Sequence, residues 1–360
     1  TSSQRKMEEE EDAYNGADHS FINTVIRVEA ATAILACLSI IFIFLNFPEL
    51  QTPSYKYVVF MALTGIGSEC SDLMSSKYVY GNKSLCILQG FAGQFFDIAS
   101  VLWATVIALT LYVVIVKQTR ITTSFNYRCH FCVWSITSVC ALLPFTTNSY
   151  GQAGPWCWIK ADVFDLHSPQ FGRDIGGTWR VLIYYLPIWI CFFIVAYCYS
   201  QVIKTIRNFA NLRDLHGDGQ GKLMRKMADS LYWFPCAFLA AYLIATGTRM
   251  YGNFTGKSHR DMRLILASLG NGSVIQAIAN SIAYNSTAVI KARWYELGMN
   301  LCVFFSIIKK PSVEERNERI KSQLSSEGPT LTAFLIEDNS EGYVDINHFN
   351  VDTETPKVVV

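Results

Sequence analysis

The sequence predicts an all-α membrane protein: a seven-transmembrane helix bundle with a short amphipathic helix after the last span. Three observations carry this prediction. Seven apolar stretches lie near 22–47, 57–76, 86–116, 129–147, 179–203, 229–251 and 263–290, and a helix needs roughly 20 mostly apolar residues to cross about 30 Å of hydrocarbon. Inside lipid only helices or a closed barrel satisfy the backbone polar groups, and these stretches are too long and too continuously apolar for barrel strands. The chain has 360 residues, 51% of them hydrophobic, so seven spans leave no large soluble domain.

Four regions follow in order. Residues 1–21 form a polar extracellular tail made acidic by Glu8, Glu9, Glu10, Glu11 and Asp12. With no cleavable leader visible, the first span is expected to act as the targeting signal. Residues 22–290 form the bundle. Residues 291–308 follow without a polar break, and Trp294, Leu297, Leu301, Phe304 and Phe305 fall at helical spacing, so this segment is expected to lie along the inner surface. Residues 309–360 are polar and read as a disordered cytoplasmic tail.

Orientation rests on charge, sequons and cysteines. With the N-terminus outside, the inner loops hold Lys56, Lys117, Arg120, Arg128, Lys204, Arg207, Arg213, Lys222, Arg225 and Lys226. The outer loops hold Lys77, Lys83, Lys160, Arg173, Lys257 and Arg260, so the excess of positive charge is inside. The basic loop after span 5 sits between two membrane spans, which argues against nucleic acid as its partner. The sequons at Asn82 and Asn253 fall in outer loops and are the expected glycosylation sites. Two more sequon matches, at Asn271 and Asn285, lie inside the seventh span and carry no such expectation. Of eleven cysteines, only Cys86 and Cys157 reach the outer face in this topology. A pair on the oxidising side invites one disulfide, the alternative being two free thiols.

Charged side chains within spans are costly and usually face the bundle interior. Glu69 and Asp72 lie three residues apart and share a helix face. Asp97 lies eleven residues below Cys86, about 16 Å down the third helix. Glu69, Asp97 and Arg249 are candidate ligand-pocket residues in a cavity open to the outside, Trp158 of the second outer loop joining them, although an internal ion pair would explain the same charges. Asp72 and Asn280 are candidate switch or structural groups. Arg27 and Glu29 read as interfacial. Pro144, Pro187 and Pro235 fall inside spans 4, 5 and 6, where each removes a backbone donor and can kink its helix.

On the inner side, Lys117, Arg120, Lys204, Arg207, Arg225 and Lys226 are the candidate partner-contact residues. Cys302 is open to palmitoylation. The tail offers Ser322, Ser325, Ser326, Thr330, Thr332, Ser340, Thr353 and Thr355 as phosphorylation sites, through which a kinase or an arrestin-type partner would act. No catalytic residue, metal or cofactor is expected.

Several segments carry a family resemblance. Cys86-Ile-Leu-Gln-Gly90, Leu102-Trp103, Ile107 to Tyr112 and Ile115-Val116-Lys117 resemble the third helix of the cyclic-AMP-receptor-like family of G-protein-coupled receptors, which includes slime-mould chemoattractant receptors and animal orphan receptors. Trp156-Cys157-Trp158-Ile159 resembles the family's second outer loop, Asp72-Leu73 its second helix, and Leu269-Gly270-Asn271 with Gln276 and Asn280 its seventh. The resemblance spans roughly residues 25–305. It implies a Cys86–Cys157 bridge, a heterotrimeric G protein as partner and an unidentified extracellular ligand. Hallmarks of rhodopsin-like receptors are missing. Span 3 ends Val114-Ile115-Val116-Lys117 without an acidic-Arg-aromatic triplet, and Ala283-Tyr284-Asn285-Ser286-Thr287 lacks a proline.

Other seven-helix classes fit less well. A retinal protein needs a Schiff-base lysine in the last span, and 263–290 contains none. A zinc hydrolase needs histidines inside the bundle, and the six histidines read as lying in loops, tails or a span edge. A small-solute transporter built from repeated halves is the alternative to a receptor, but spans 1–3 and 5–7 show no internal repeat.

Overall fold

The computed structural model describes residues 2–48, 51, 53–74, 81–153, 156–160, 175–215 and 272–285, with shorter stretches inside 235–247 and 290–298. Span 1 belongs to one continuous helix, Ser2–Asn46. The boundary drawn at residue 21 therefore marks a change of composition and not of backbone. Glu, Met, Ala and Lys, good helix formers, dominate the first turns and give the helix no reason to stop.

Span 2 is helical over Pro53–Asp72. Span 3 is helical over Lys83–Leu111 and continues through a π-turn at Tyr112–Val116. Its start is set by Asn82, whose Oδ1 accepts the amides of Ser84 at 3.0 Å and Leu85 at 3.3 Å. Such a cap is worth about 1 kcal/mol, because it fills amide donors that no helical carbonyl can reach. Span 4 runs over Thr123–Leu142 and tightens into a 3-10 turn at Leu143–Thr147 that contains Pro144. Span 5 begins at Ile175–Arg180, opens into a π-turn at Val181–Tyr185 and resumes over Leu186–Leu215. The described residues of span 6 are helical, and span 7 is helical over Gly272–Asn285. Among the described residues four helices are long and apolar enough to cross a bilayer: Asn23–Asn46, Lys83–Val116, Thr123–Thr147 and Ile175–Asn211.

The fold is not purely helical. Strand β1 (Tyr150–Gln152) pairs antiparallel with β2 (Cys157–Ile159) in the second outer loop. The bundle itself is all-α, as expected, and this short hairpin lies outside its helices. Strands of three residues are too short to show a two-residue alternation, so nothing in their composition announces them. Asn148, at φ 51°, turns the chain from the end of span 4 into β1, a left-handed conformation that asparagine tolerates better than most residues.

Span 3 is the axis of the bundle. It packs against spans 2, 4 and 5 and both strands, and 72% of its most apolar window is buried inside the protein, against 28% for spans 1, 4 and 5. Helices in lipid gain little from the hydrophobic effect and associate where small residues let them approach. Gly67 does this between spans 2 and 3, where a Cβ would stand 2.6 Å from the Phe96 ring. Gly90 does it under the hairpin, where a Cβ would stand 3.0 Å from the Trp158 backbone and from the Tyr150 ring. Two core clusters result. One, around Tyr57, Trp103, Ile107 and Val202, fills the bundle, and the other, around Ile98, Tyr150, Ile159 and Ile183, lies beneath the hairpin.

Candidate ligand site and inner face

Cys86 and Cys157 are bonded, with their Cα atoms 5.3 Å apart. The bridge anchors β2 to the first turns of span 3, and two glutamines of span 3 extend the anchorage. Gln89 accepts the Cys157 amide at 3.1 Å and donates to the Ser71 carbonyl of span 2 at 2.9 Å. Gln94 accepts from Trp158 Nε1 at 2.9 Å and donates to the Ile183 carbonyl of span 5 at 3.1 Å. That last acceptor has a cause in the sequence. In a regular helix the Ile183 carbonyl would take the amide of residue 187, and Pro187 has none. The π-turn displaces the backbone at this point, and Gln94 supplies a donor.

Below the glutamines lies Asp97. Ser68 of span 2 donates to one carboxyl oxygen, and Tyr184, in the π-turn of span 5, donates to the other at 3.2 Å. Glu69 is fully buried next to Ser68, and Tyr242 of span 6 donates to Gln276 of span 7 at 2.5 Å. Trp158 roofs the site. It is 7% exposed, meets Tyr184 edge-on at 4.9 Å and lies under the Arg180 guanidinium at 5.0 Å. Arg180 also donates from Nε and Nη2 to the Ile159 carbonyl, at 2.8 and 2.5 Å.

Three of the four expected pocket residues, Glu69, Asp97 and Trp158, thus fall in one region between spans 2, 3 and 5. Arg249 lies outside the described residues, as do Asn253, Arg225, Lys226, Cys302 and the tail. Asp72 stands apart, half-buried at the last residue of the span 2 helix. Asn280 faces a different space, an internal cavity of water-sized dimensions that it lines with Met61, Tyr199, Gln276 and Tyr284. Asn82 is exposed, with its Oδ1 engaged in the cap.

At the end of the bundle away from the hairpin, Lys117, Arg120, Lys204 and Arg207 are all exposed. Where an acidic-Arg-aromatic triplet is missing, Tyr112 of the π-turn faces Tyr197 of span 5 with ring centroids 6.0 Å apart, and Lys117 lies 5.7 Å from the Tyr112 ring. Asn285 ties the end of span 7 together. Its Nδ2 donates to Ser39 of span 1 at 2.8 Å and its Oδ1 accepts from Trp294 at 2.9 Å. The expected surface helix is helical at residues 290–291, 293–295 and 297–298, and the rest of 291–308 is not described.

The sequence reading missed three kinds of group. Gln89 and Gln94 carry no charge, so the rule that charged residues in spans face the interior does not single them out. Asn285 was set aside with a chance sequon. His130, at the edge of the apolar stretch, lies within the helix Thr123–Leu142, where its ring meets those of Trp103 and Phe60, both at 4.8 Å. Its neighbours there are aromatic rings, a packing environment.

A central third helix and a bridged hairpin roofing a polar site fit a helical membrane receptor. Residues 37–284 match the family "7 transmembrane receptor (rhodopsin family)", and the chain belongs to it. It is a G-protein-coupled receptor. The missing hallmarks are therefore local departures within that family and do not exclude it. The chain is 24% identical over 287 residues to "G-protein coupled receptor 1" of Arabidopsis thaliana, covering 78% of this chain and 82% of that one. It is 27% identical over 174 residues to "Cyclic AMP receptor-like protein A" of Dictyostelium discoideum, covering 48% and 42%, in line with the resemblance drawn from the third helix. The fold is that of squid rhodopsin, with a TM-score of 0.59 at 15% identity over 87% of this chain and 93% of that one.

Proposed function

We propose that this receptor stands in the plasma membrane with its N-terminus outside, and that a small neutral or cationic ligand reaches the site around Asp97 and Glu69. The bridging of spans 2 and 5 by Asp97 carries this reading. A ligand that competes for its carboxyl oxygens necessarily changes how those spans are held, and a change of that kind is what couples two distant sites. The disulfide favours placing the hairpin on the oxidising side. The slime-mould relative is named for cyclic AMP, but an anionic phosphate beside two carboxyl groups would be repelled. Lys117, Arg120, Lys204 and Arg207, with Arg225 and Lys226, would meet the G protein, a kinase and an arrestin would act on the tail, and Asn82 would carry a glycan on its Nδ2.

The test is G-protein activation across all subtypes in cells expressing the receptor, with cationic, neutral and cyclic-nucleotide ligands. For the cation or neutral compound that activates, Asp97→Asn is expected to cut potency by about ten- to a hundredfold, the worth of a hydrogen bond to a charged group. Activation by cyclic AMP with a potency indifferent to Asp97→Asn would sink the assignment.

A further inference from the structure

We propose that Trp158 is a built-in ligand: carried on the hairpin, it is seated in the roof of the outer site from within the chain and sustains G-protein activation with nothing added. The inference rests on the outer site named above and goes beyond it. Trp158 is a loop residue, yet it is buried. Its indole makes the contacts expected of a bound aromatic molecule: a donated hydrogen bond to Gln94, an edge-to-face contact with Tyr184 and a cation over its face from Arg180. Gln94 is itself fully buried, so it cannot turn to solvent for a substitute.

The indole also joins two elements. Through Gln94 it is linked to the Ile183 carbonyl, the acceptor left over by Pro187. Tyr184, in the same π-turn, ties the turn again to span 3 through Asp97. Trp158 thus holds the outer end of span 5 against span 3, at the π-turn that precedes Pro187. Beyond Pro187 the same span carries Tyr197, which meets Tyr112 of span 3, and then Lys204 and Arg207, so the hold on its outer end bears on the contact at its other end. A ligand shifts an equilibrium by its differential contacts with the two states, and a tethered side chain makes those contacts at a high effective concentration.

The test measures ligand-independent G-protein activation at matched, epitope-counted surface density. Wild type is expected to be active. Trp158→Ala should lose at least about fivefold, the lower end of typical coupling between sites, and Gln94→Leu should lose as much. Free indole, the excised part of the side chain, should restore Trp158→Ala and leave wild type and Gln94→Leu unchanged. A silent wild type overturns the proposal. So does a Trp158→Ala receptor whose basal activity is unchanged or raised, or a loss that indole does not repair, because that loss reports a collapsed hairpin. Failure of the outer-site assignment itself shows separately, as an added ligand whose potency ignores Asp97→Asn.

Discussion

Asn285 illustrates how much one amide can organise. Its Nδ2 serves both Ser39 Oγ and the Ser281 carbonyl, at 2.8 and 2.9 Å, while its Oδ1 receives the Trp294 indole at 2.9 Å. Trp294 in turn stacks on Phe42 at 6.0 Å, and Arg293 lies 5.1 Å from the Phe47 ring. One side chain therefore joins span 1, span 7 and the surface segment where the chain leaves the membrane. Hydrogen bonds of this kind contribute about 1 kcal/mol each, and a polar group left behind without its partner costs about 1–3 kcal/mol. Asn285→Ala strands Trp294 Nε1 and removes the donor that ties span 7 to Ser39 Oγ, whose own hydroxyl still donates to the Ala36 carbonyl. It should lower the melting temperature of the detergent-solubilised receptor by several degrees, which corresponds to about 1–3 kcal/mol. A melting curve indistinguishable from wild type would show that the junction contributes nothing to the fold. Because Asn285 is half-buried with both ends of its amide engaged, its sequon is expected to stay unglycosylated, which gel mobility after deglycosylation of an Asn82→Gln, Asn253→Gln receptor would check.

The hairpin is the element on which the outer half depends, and it is seated twice. The disulfide closes a loop of about 70 residues, and by loop entropy alone such a link is worth about 4 kcal/mol. Gly90 supplies the other seat, because only a residue without a Cβ lets β2 lie on span 3. Gly90→Val and Cys157→Ala should therefore share a phenotype, a receptor retained inside the cell with surface labelling reduced severalfold. Gly298→Ala, where a Cβ meets nothing within 4 Å, should label as wild type does. Normal surface levels in Gly90→Val would mean that the hairpin can sit elsewhere. Much of this element level was legible in the sequence. Lipid leaves so few ways to satisfy a backbone that long apolar runs declare themselves as helices, whereas the cysteine positions only invite a bridge that the family resemblance implies and the structure shows. The strands and the two π-turns were not legible. A π-turn inserts one residue without changing the composition, and Tyr112–Val116 reads like any other stretch of span. Pro187 pointed to a kink in span 5 but not to its outcome, because the fate of the released Ile183 carbonyl depends on a glutamine 89 residues away. The carboxyl groups of Glu69 and Asp97 stood out on their own, whereas the amides and hydroxyls that hold Asp97 became visible only once spans 2, 3 and 5 were brought together.

Across the whole molecule, span 3 connects two surfaces of opposite character. Asp97 and Lys117 are twenty residues apart on one nearly continuous helix, about 30 Å at 1.5 Å per residue. A shift of span 5 against the outer half of span 3 therefore reaches the inner end through a rigid, largely buried rod, and Tyr112 meets Tyr197 of span 5 there. The inner surface around this contact carries Lys117, Arg120, Lys204 and Arg207, all exposed. Exposed charges contribute modestly to affinity and more to the rate of encounter, and salt screens them over about 10 Å at 0.1 M. Each single alanine substitution should therefore change G-protein activation only slightly. The quadruple variant Lys117→Ala, Arg120→Ala, Lys204→Ala, Arg207→Ala should slow activation by about tenfold or more in reconstituted membranes, with surface delivery and outer-site ligand affinity unchanged. The deficit should shrink as ionic strength rises, because added salt removes from the wild type the same attraction that the substitutions removed. A quadruple variant that activates G protein at the wild-type rate in low salt would place the docking surface elsewhere. A variant slowed equally at every salt concentration would show that these side chains act by packing and not by charge.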